Sequence, residues 1–139
     1  VVRQATNDNE VSLTDLLTNE DAIFLKIDIE GDEYELLSDI LKKSEKLISL
    51  VIEFHNLKSN LDKIENFIKE NKNLKLIHIH ANNFHQVDSN ENPNDIELTF
   101  VNNKKINVSN KKSEKSYPIS GLDYKNFKRK NDIELKFND

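Results

Sequence analysis

The chain has 139 residues, of which 36% are apolar, enough for one domain with a single modest core. It carries a net charge of -5 and no cysteine. Disulfides and thiolate metal sites are therefore excluded, and a general nucleic-acid binder, which needs a basic face to displace counterions, is disfavoured. No apolar run reaches the ~20 residues of a membrane helix, and no secretory leader opens the chain, so a reducing cytoplasm is the expected compartment. The chain has no methionine and starts at Val1, which fits a piece cut from a longer protein.

Residues 1–10 are polar and read as a connection. Ser12 and Asp15 form a capping-box pattern ahead of a short helix over residues 13–17. Residues 22–29 form a compact run that is apolar on both faces but for Lys26 and the closing Asp28, as expected of a buried parallel strand. Gly31 ends that strand. Asp32 and Glu33 then place negative charge at the start of a helix over residues 33–43. Its apolar stripe holds Tyr34, Leu37 and Leu41 together with Leu36 and Ile40.

Residues 47–54 form a second strand. Asn60 is the expected N-cap of a second long helix striped by Leu61, Ile64, Phe67 and Ile68. Residues 74–80 form a third strand. A fourth, over residues 96–101, is reached without a helix, which favours an antiparallel neighbour. Residues 102–115 read as a polar loop, residues 122–127 as irregular structure and residues 133–137 as a short last strand. The lysine-rich stretches at 111–115 and 125–130 read as solvated charge, since no aromatic stacking platform accompanies them. Alternating strands and helices imply an α/β fold of three parallel strands with crossover helices plus one antiparallel strand.

In open α/β sheets ligands bind beyond the carboxyl ends of the strands. Asp28 and Glu30 close the first strand, Glu53 and His55 the second, and His80, Asn82 and Asn83 the third. Residues two apart share a face, so these groups should meet at one edge. Blander readings stand beside this one. Asp28 and Glu30 could cap the following helix. Glu53 could pair with Lys26 across the sheet. His78 reads as a packed core histidine and His85 as a loop residue. A histidine and carboxylate set can also hold a divalent metal, for which Asp28, Glu30, His55 and His80 are the candidates. With only two glycines, Gly31 and Gly121, the chain holds no glycine-rich phosphate-binding turn.

Residues 24–37, FLKIDIEGDEYELL, resemble the hallmark segment of FkbM methyltransferases. Residues 11–17, VSLTDLL, resemble the helix that precedes it. Residues 51–55, VIEFH, are similar to the next strand, and residues 77–83, IHIHANN, with 96–100, IELTF, to later segments. The resemblance implies a Rossmann-like sheet of seven strands, of which this chain would hold the fourth to the seventh in spatial order fourth, fifth, seventh, sixth. Residues 1–139 would then be a single partial domain, with a core over 11–101 and an irregular extension over 102–139. The N-terminal half, with most of the cofactor site, lies outside it.

The activity implied is methyl transfer from S-adenosylmethionine to a hydroxyl of a metabolite or saccharide, as in bacterial polysaccharide modification. On that resemblance Asp28, His55 and His80 are the catalytic candidates, Asp28 and Glu30 the cofactor contacts, and Glu53, Asn82 and Asn83 the acceptor contacts. A divalent metal is a further candidate cofactor. The missing strands would leave an exposed sheet edge prone to self-association. Two other functions compete: a metal-dependent hydrolase using the Asp, Glu and His cluster, and a non-catalytic interaction module.

Overall fold

The computed structural model describes residues 12–18, 21–111 and 113–135. The expected polar connection over residues 1–10 lies outside them. The first element, α1 (Leu13–Leu16), is capped as the sequence indicates. The Ser12 hydroxyl oxygen accepts the Asp15 N–H at 3.1 Å and donates to the Asp15 carboxylate at 2.6 Å.

Strand β1 (Ile23–Ile27) is shorter than the apolar run and is not buried on both faces. Phe24 is 69% exposed and Lys26 is exposed, whereas Ile27 is buried. The expectation of a doubly covered strand is corrected for a simple reason: among the described residues helices cover only one face of the sheet here. The chain then turns through two left-handed residues, Glu30 at φ 57° and Gly31 at φ 112°. The single helix expected over 33–43 is divided into a 3₁₀ turn, Asp32–Leu36, and α2 (Leu37–Lys43). Such turns are common at helix starts. Here the tight turn carries Glu33 into the interior, fully buried with Leu36 and Ile40.

Strand β2 (Leu47–Phe54) has the expected bounds. Helix α3 (Leu57–Glu70) begins three residues before the expected cap. Leu57 is buried and its N–H donates to the Asn94 carbonyl at 2.8 Å, which fixes the start. Asn60 is therefore inside the helix, where its amide donates back to the Asn56 carbonyl at 3.1 Å. Strands β3 (Leu74–Asn82) and β4 (Asp95–Asn102) follow.

The four strands form one sheet of mixed direction in the order β1-β2-β4-β3. β1 and β2 are parallel, and β4 runs antiparallel to both β2 and β3. The helix-free link between β3 and β4 thus makes an antiparallel pair, as the short connection requires. β1 has a strand partner on one side only among the described residues.

The core lies between the sheet and α2 with α3. Leu50, Ile52, Phe54, Leu98 and Phe100 face Ile40, Ile64 and Phe67. The Phe67 and Phe100 rings meet edge to face at 5.6 Å. At about 1.5–3 kcal/mol per fully buried large apolar side chain, this face holds the fold together. The opposite face carries Lys26, Glu53, Glu97, His78 and His80 and is polar. Part of it is covered by the last described segment. His78 Nε2 lies 2.6 Å from the Asp123 carboxylate, and the His78 ring lies 5.4 Å from that of Tyr117. Of the short strand expected at 133–137, only an isolated bridge between Tyr117 and Leu135 forms, and residues 136 and 137 lie outside the described set.

Candidate functional site

The strand order decides which side chains meet. At the carboxyl end of β1 and β2, antiparallel β4 contributes its first residue, and β3 its last. The edge therefore runs Asp28, then Glu53 and His55, then Asp95, then Asn82. Register agrees, because Glu53 and His80 both pair with Glu97, and Asn82 pairs with Asp95.

His55 is the centre of this edge. It is 8% exposed and held by Glu33, which is fully buried. One carboxylate oxygen of Glu33 accepts the His55 backbone N–H at 2.6 Å and lies 3.2 Å from His55 Nδ1. The other accepts the Gly31 N–H at 2.9 Å. One buried acid thus joins the turn after β1 to the end of β2. Holding Nδ1 in this way orients the ring and leaves Nε2 for other partners. Nε2 faces three further carboxylates: Glu30 at 3.7 Å, Asp28 at 3.9 Å and Glu53 at 4.0 Å. None is within hydrogen-bonding distance. Burial alone would lower the pKa of His55. The charge and hydrogen bond of Glu33, with Asp95 and Glu53 behind, outweigh it and raise the pKa above its ordinary value.

The neighbours of this ring are themselves fixed. Glu53 accepts the Asn82 amide at 2.6 Å. The alternative pairing of Glu53 with Lys26 is not made, because Lys26 reaches Glu97 at 3.1 Å instead. The Tyr34 hydroxyl donates to the His55 carbonyl at 2.6 Å, and burial first, then the charges of Glu33 and Asp95, raise its pKa. Glu30 and Asn56, which flank the site, both take left-handed backbone at φ 57° and 55°. Positive φ in such residues is uncommon and clusters where function constrains the chain.

The structure brings together Asp28, Glu30, Glu53, His55 and Asn82. Asp28, Glu53 and His55 offer ligand atoms that all lie within 4.8 Å of one another. This trio contains Glu53 where the sequence pointed to Glu30 and His80 as metal candidates. His80 stands on β3, with β4 between it and the strand that ends at His55, and its Nε2 is buried and without a hydrogen-bond partner. Asn83 is 1% exposed and its side chain ties down the C-terminal segment. Its oxygen accepts the Phe127 N–H at 2.7 Å, and its amide reaches the carbonyls of Phe127 at 3.1 Å and Asn131 at 3.3 Å.

Two residues carry more than the sequence reading gave them. Glu33 was counted as a helix-start acid, although it sits four residues before Leu37 and seven before Ile40, in line with the buried stripe. That spacing was the available signal. His85 was counted as a loop residue, yet its Nδ1 lies 2.5 Å from Asp95, which is 1% exposed. Asp95 also accepts the Asn56 N–H at 3.2 Å and the Asn94 amide at 2.7 Å. Asp95 pairs with Asn82 across β3 and β4, and His85 follows Asn82 by three residues, so the pairing of those two strands brings the dyad together.

A family model described as "Methyltransferase FkbM domain" matches residues 2–75, more than half of the chain. No curated protein and no solved structure matches it. Among the described residues no helix is long and apolar enough to cross a membrane.

Proposed function

This chain belongs to the FkbM methyltransferase family, and we propose on that footing that the acidic edge around His55 serves S-adenosylmethionine-dependent methylation of a hydroxyl on a saccharide or metabolite, in the cytoplasm. The observation that carries the reading is the convergence of Asp28, Glu53 and His55 at the carboxyl edge of the sheet, where an open α/β fold meets its ligands. The strand order and the reversed β4 support counting these strands as the fourth, fifth, seventh and sixth of a Rossmann-like sheet. On this reading the glycine-rich turn for the nucleotide belongs to a cofactor half preceding this chain.

The residues present fit the cationic end of the methyl donor. Asp28 and Glu30 place two carboxylates beside the left-handed turn at Gly31, the kind of charge that receives a sulfonium or an ammonium group. When bound, the donor supplies an electrophilic methyl group on sulfur. The chain has to hold the acceptor oxygen in line and provide a place for its proton. Glu53, fixed by Asn82, is suited to accept a hydrogen bond from the acceptor hydroxyl. His55 is suited to charge balance, because Glu33 holds it protonated to higher pH than a free imidazole. His85 suits the role of proton acceptor better than His55 or His80. Its ring is exposed, and Asp95 holds Nδ1 so that Nε2 remains available.

Calorimetric titration of S-adenosylmethionine and S-adenosylhomocysteine, with a chelator present, tests this reading on the chain and on any longer natural form that carries it. One-site binding, weakened at least tenfold by Asp28→Asn, is the expected outcome. Absence of binding in every form would overturn it.

A further inference from the structure

We propose that Asp28, Glu53 and His55 form a site for one divalent first-row transition cation, with Glu33 as the residue that positions the imidazole. The binding itself stands apart from the methyltransferase reading, whereas its role in holding the acceptor oxygen rests on that reading.

Four observations combine. The ligand atoms of the three residues lie within 4.8 Å of one another, as donors around a single ion at about 2.0–2.2 Å each can do. Second, His55 Nε2 belongs to a side chain that is only 10% exposed, faces Asp28, Glu30 and Glu53 at 3.7–4.0 Å and hydrogen-bonds to none of them. The ring nitrogen is thus aimed at three carboxylates that it meets by charge and not by a hydrogen bond.

Third, the imidazole is held as a metal-bound histidine usually is. Its Nδ1 sits 3.2 Å from the fully buried Glu33. A carboxylate on one ring nitrogen fixes the tautomer and raises the basicity of the other toward a metal. Glu53 has the same kind of support from Asn82 at 2.6 Å.

Fourth, charge around the gap is unbalanced. Asp28, Glu30, Glu33 and Glu53 surround a single histidine, and Lys26, whose charge also reaches Asp28 and Glu53, is paired with Glu97 at 3.1 Å. One proton on His55 offsets only part of that charge, and a dication would offset more. The donor set indicates the class of ion. One imidazole nitrogen with two carboxylates suits manganese, iron or zinc better than magnesium, which prefers oxygen alone and keeps several waters. Three protein ligands also leave coordination positions open for water or the oxygen of an acceptor. Glu30, 86% exposed at the rim and 3.7 Å from Nε2, is placed to steer a cation inward without belonging to the trio.

The test is titration of manganese chloride into the chelator-treated chain at neutral pH, without S-adenosylmethionine, read by calorimetry and by paramagnetic broadening of amide resonances. One ion per chain is expected, with a dissociation constant in the micromolar range or tighter and broadening centred on residues 28, 53 and 55. Asp28→Asn, at a half-exposed position that the core does not depend on, should weaken binding at least tenfold. Glu33→Gln should weaken it by about 10–100-fold although Glu33 touches no ion. Glu65→Gln, on the exposed face of α3, should change nothing. Broadening spread over surface acids, or binding unaltered in both site variants, would overturn the proposal. Cation binding together with no S-adenosylmethionine binding, in the chain and in every longer form that carries it, would leave this site standing and remove the proposed methylation.

Discussion

Replacing Glu33 by Gln removes one charge from a position with no exposure to solvent. The carboxylate accepts two backbone N–H groups, from His55 at 2.6 Å and from Gly31 at 2.9 Å, and it faces His55 Nδ1 at 3.2 Å. A glutamine offers one acceptor oxygen and one donor nitrogen, so one of the two N–H groups must face an NH₂. An unmet buried donor costs about 1–3 kcal/mol, and weakening the remaining bonds from charged to neutral acceptors costs about 1 kcal/mol more. The expected destabilisation is therefore roughly 2–4 kcal/mol, a large share of the stability of a small domain.

The same substitution has a signature in pH. In the native protein His55 titrates above its ordinary value of 6.5, so the folded state binds more protons than the unfolded chain once the pH exceeds that value. The stabilisation is fully present below 6.5 and is lost as pH rises through the folded pKa. In Glu33→Gln the largest attraction is gone while burial remains, so the His55 pKa should fall and the downward slope of stability above that range should flatten. Urea denaturation across pH, with the histidine followed by NMR in metal-free buffer, measures both. A variant within 0.5 kcal/mol of the parent, an estimate near the scatter for neutral surface changes, with an unmoved His55 titration, would refute the reasoning.

Three other outcomes follow from the packing. Asn83→Ala should release residues 117–135 to rapid amide exchange and proteolysis while the sheet stays protected, because Asn83 is what ties Phe127 and Asn131 to the end of β3. Gly31→Ala should cost about 1–2 kcal/mol in denaturant unfolding through its left-handed backbone, with no steric part, since the nearest atom to a new Cβ is 4.0 Å away. Phe100→Ala, at a fully buried position against Phe67, should cost about 3–5 kcal/mol. Values under 1 kcal/mol there would mean that the sheet does not pack on α3 as described.

The sheet was legible because its strands differ in local pattern from what joins them. Short apolar runs, the first ended by Gly31, gave the strands, and the helix-free link between the third and fourth gave the reversal of β4. Helix starts were less legible. Asn60 has the chemistry of a cap, but the burial of Leu57 decides where α3 begins, and burial is a tertiary fact. The doubly buried reading of β1 failed for the same reason: Phe24 looks like a core residue until the covering layer is known. That Asp28, Glu30, Glu53 and His55 should meet followed from strand parity together with the rule that ligands bind at strand carboxyl ends. The role of Glu33 needed the inward turn after Gly31, and the His85–Asp95 dyad needed the pairing of β3 with β4.

The most direct test of the proposed site is a ¹⁵N–¹H titration of the chain with S-adenosylhomocysteine at millimolar concentration, where weak binding by part of a cofactor site still registers. The account predicts shifts concentrated at residues 28–31 and 53–56. Shifts confined to residues 117–135, or none at all, would contradict it.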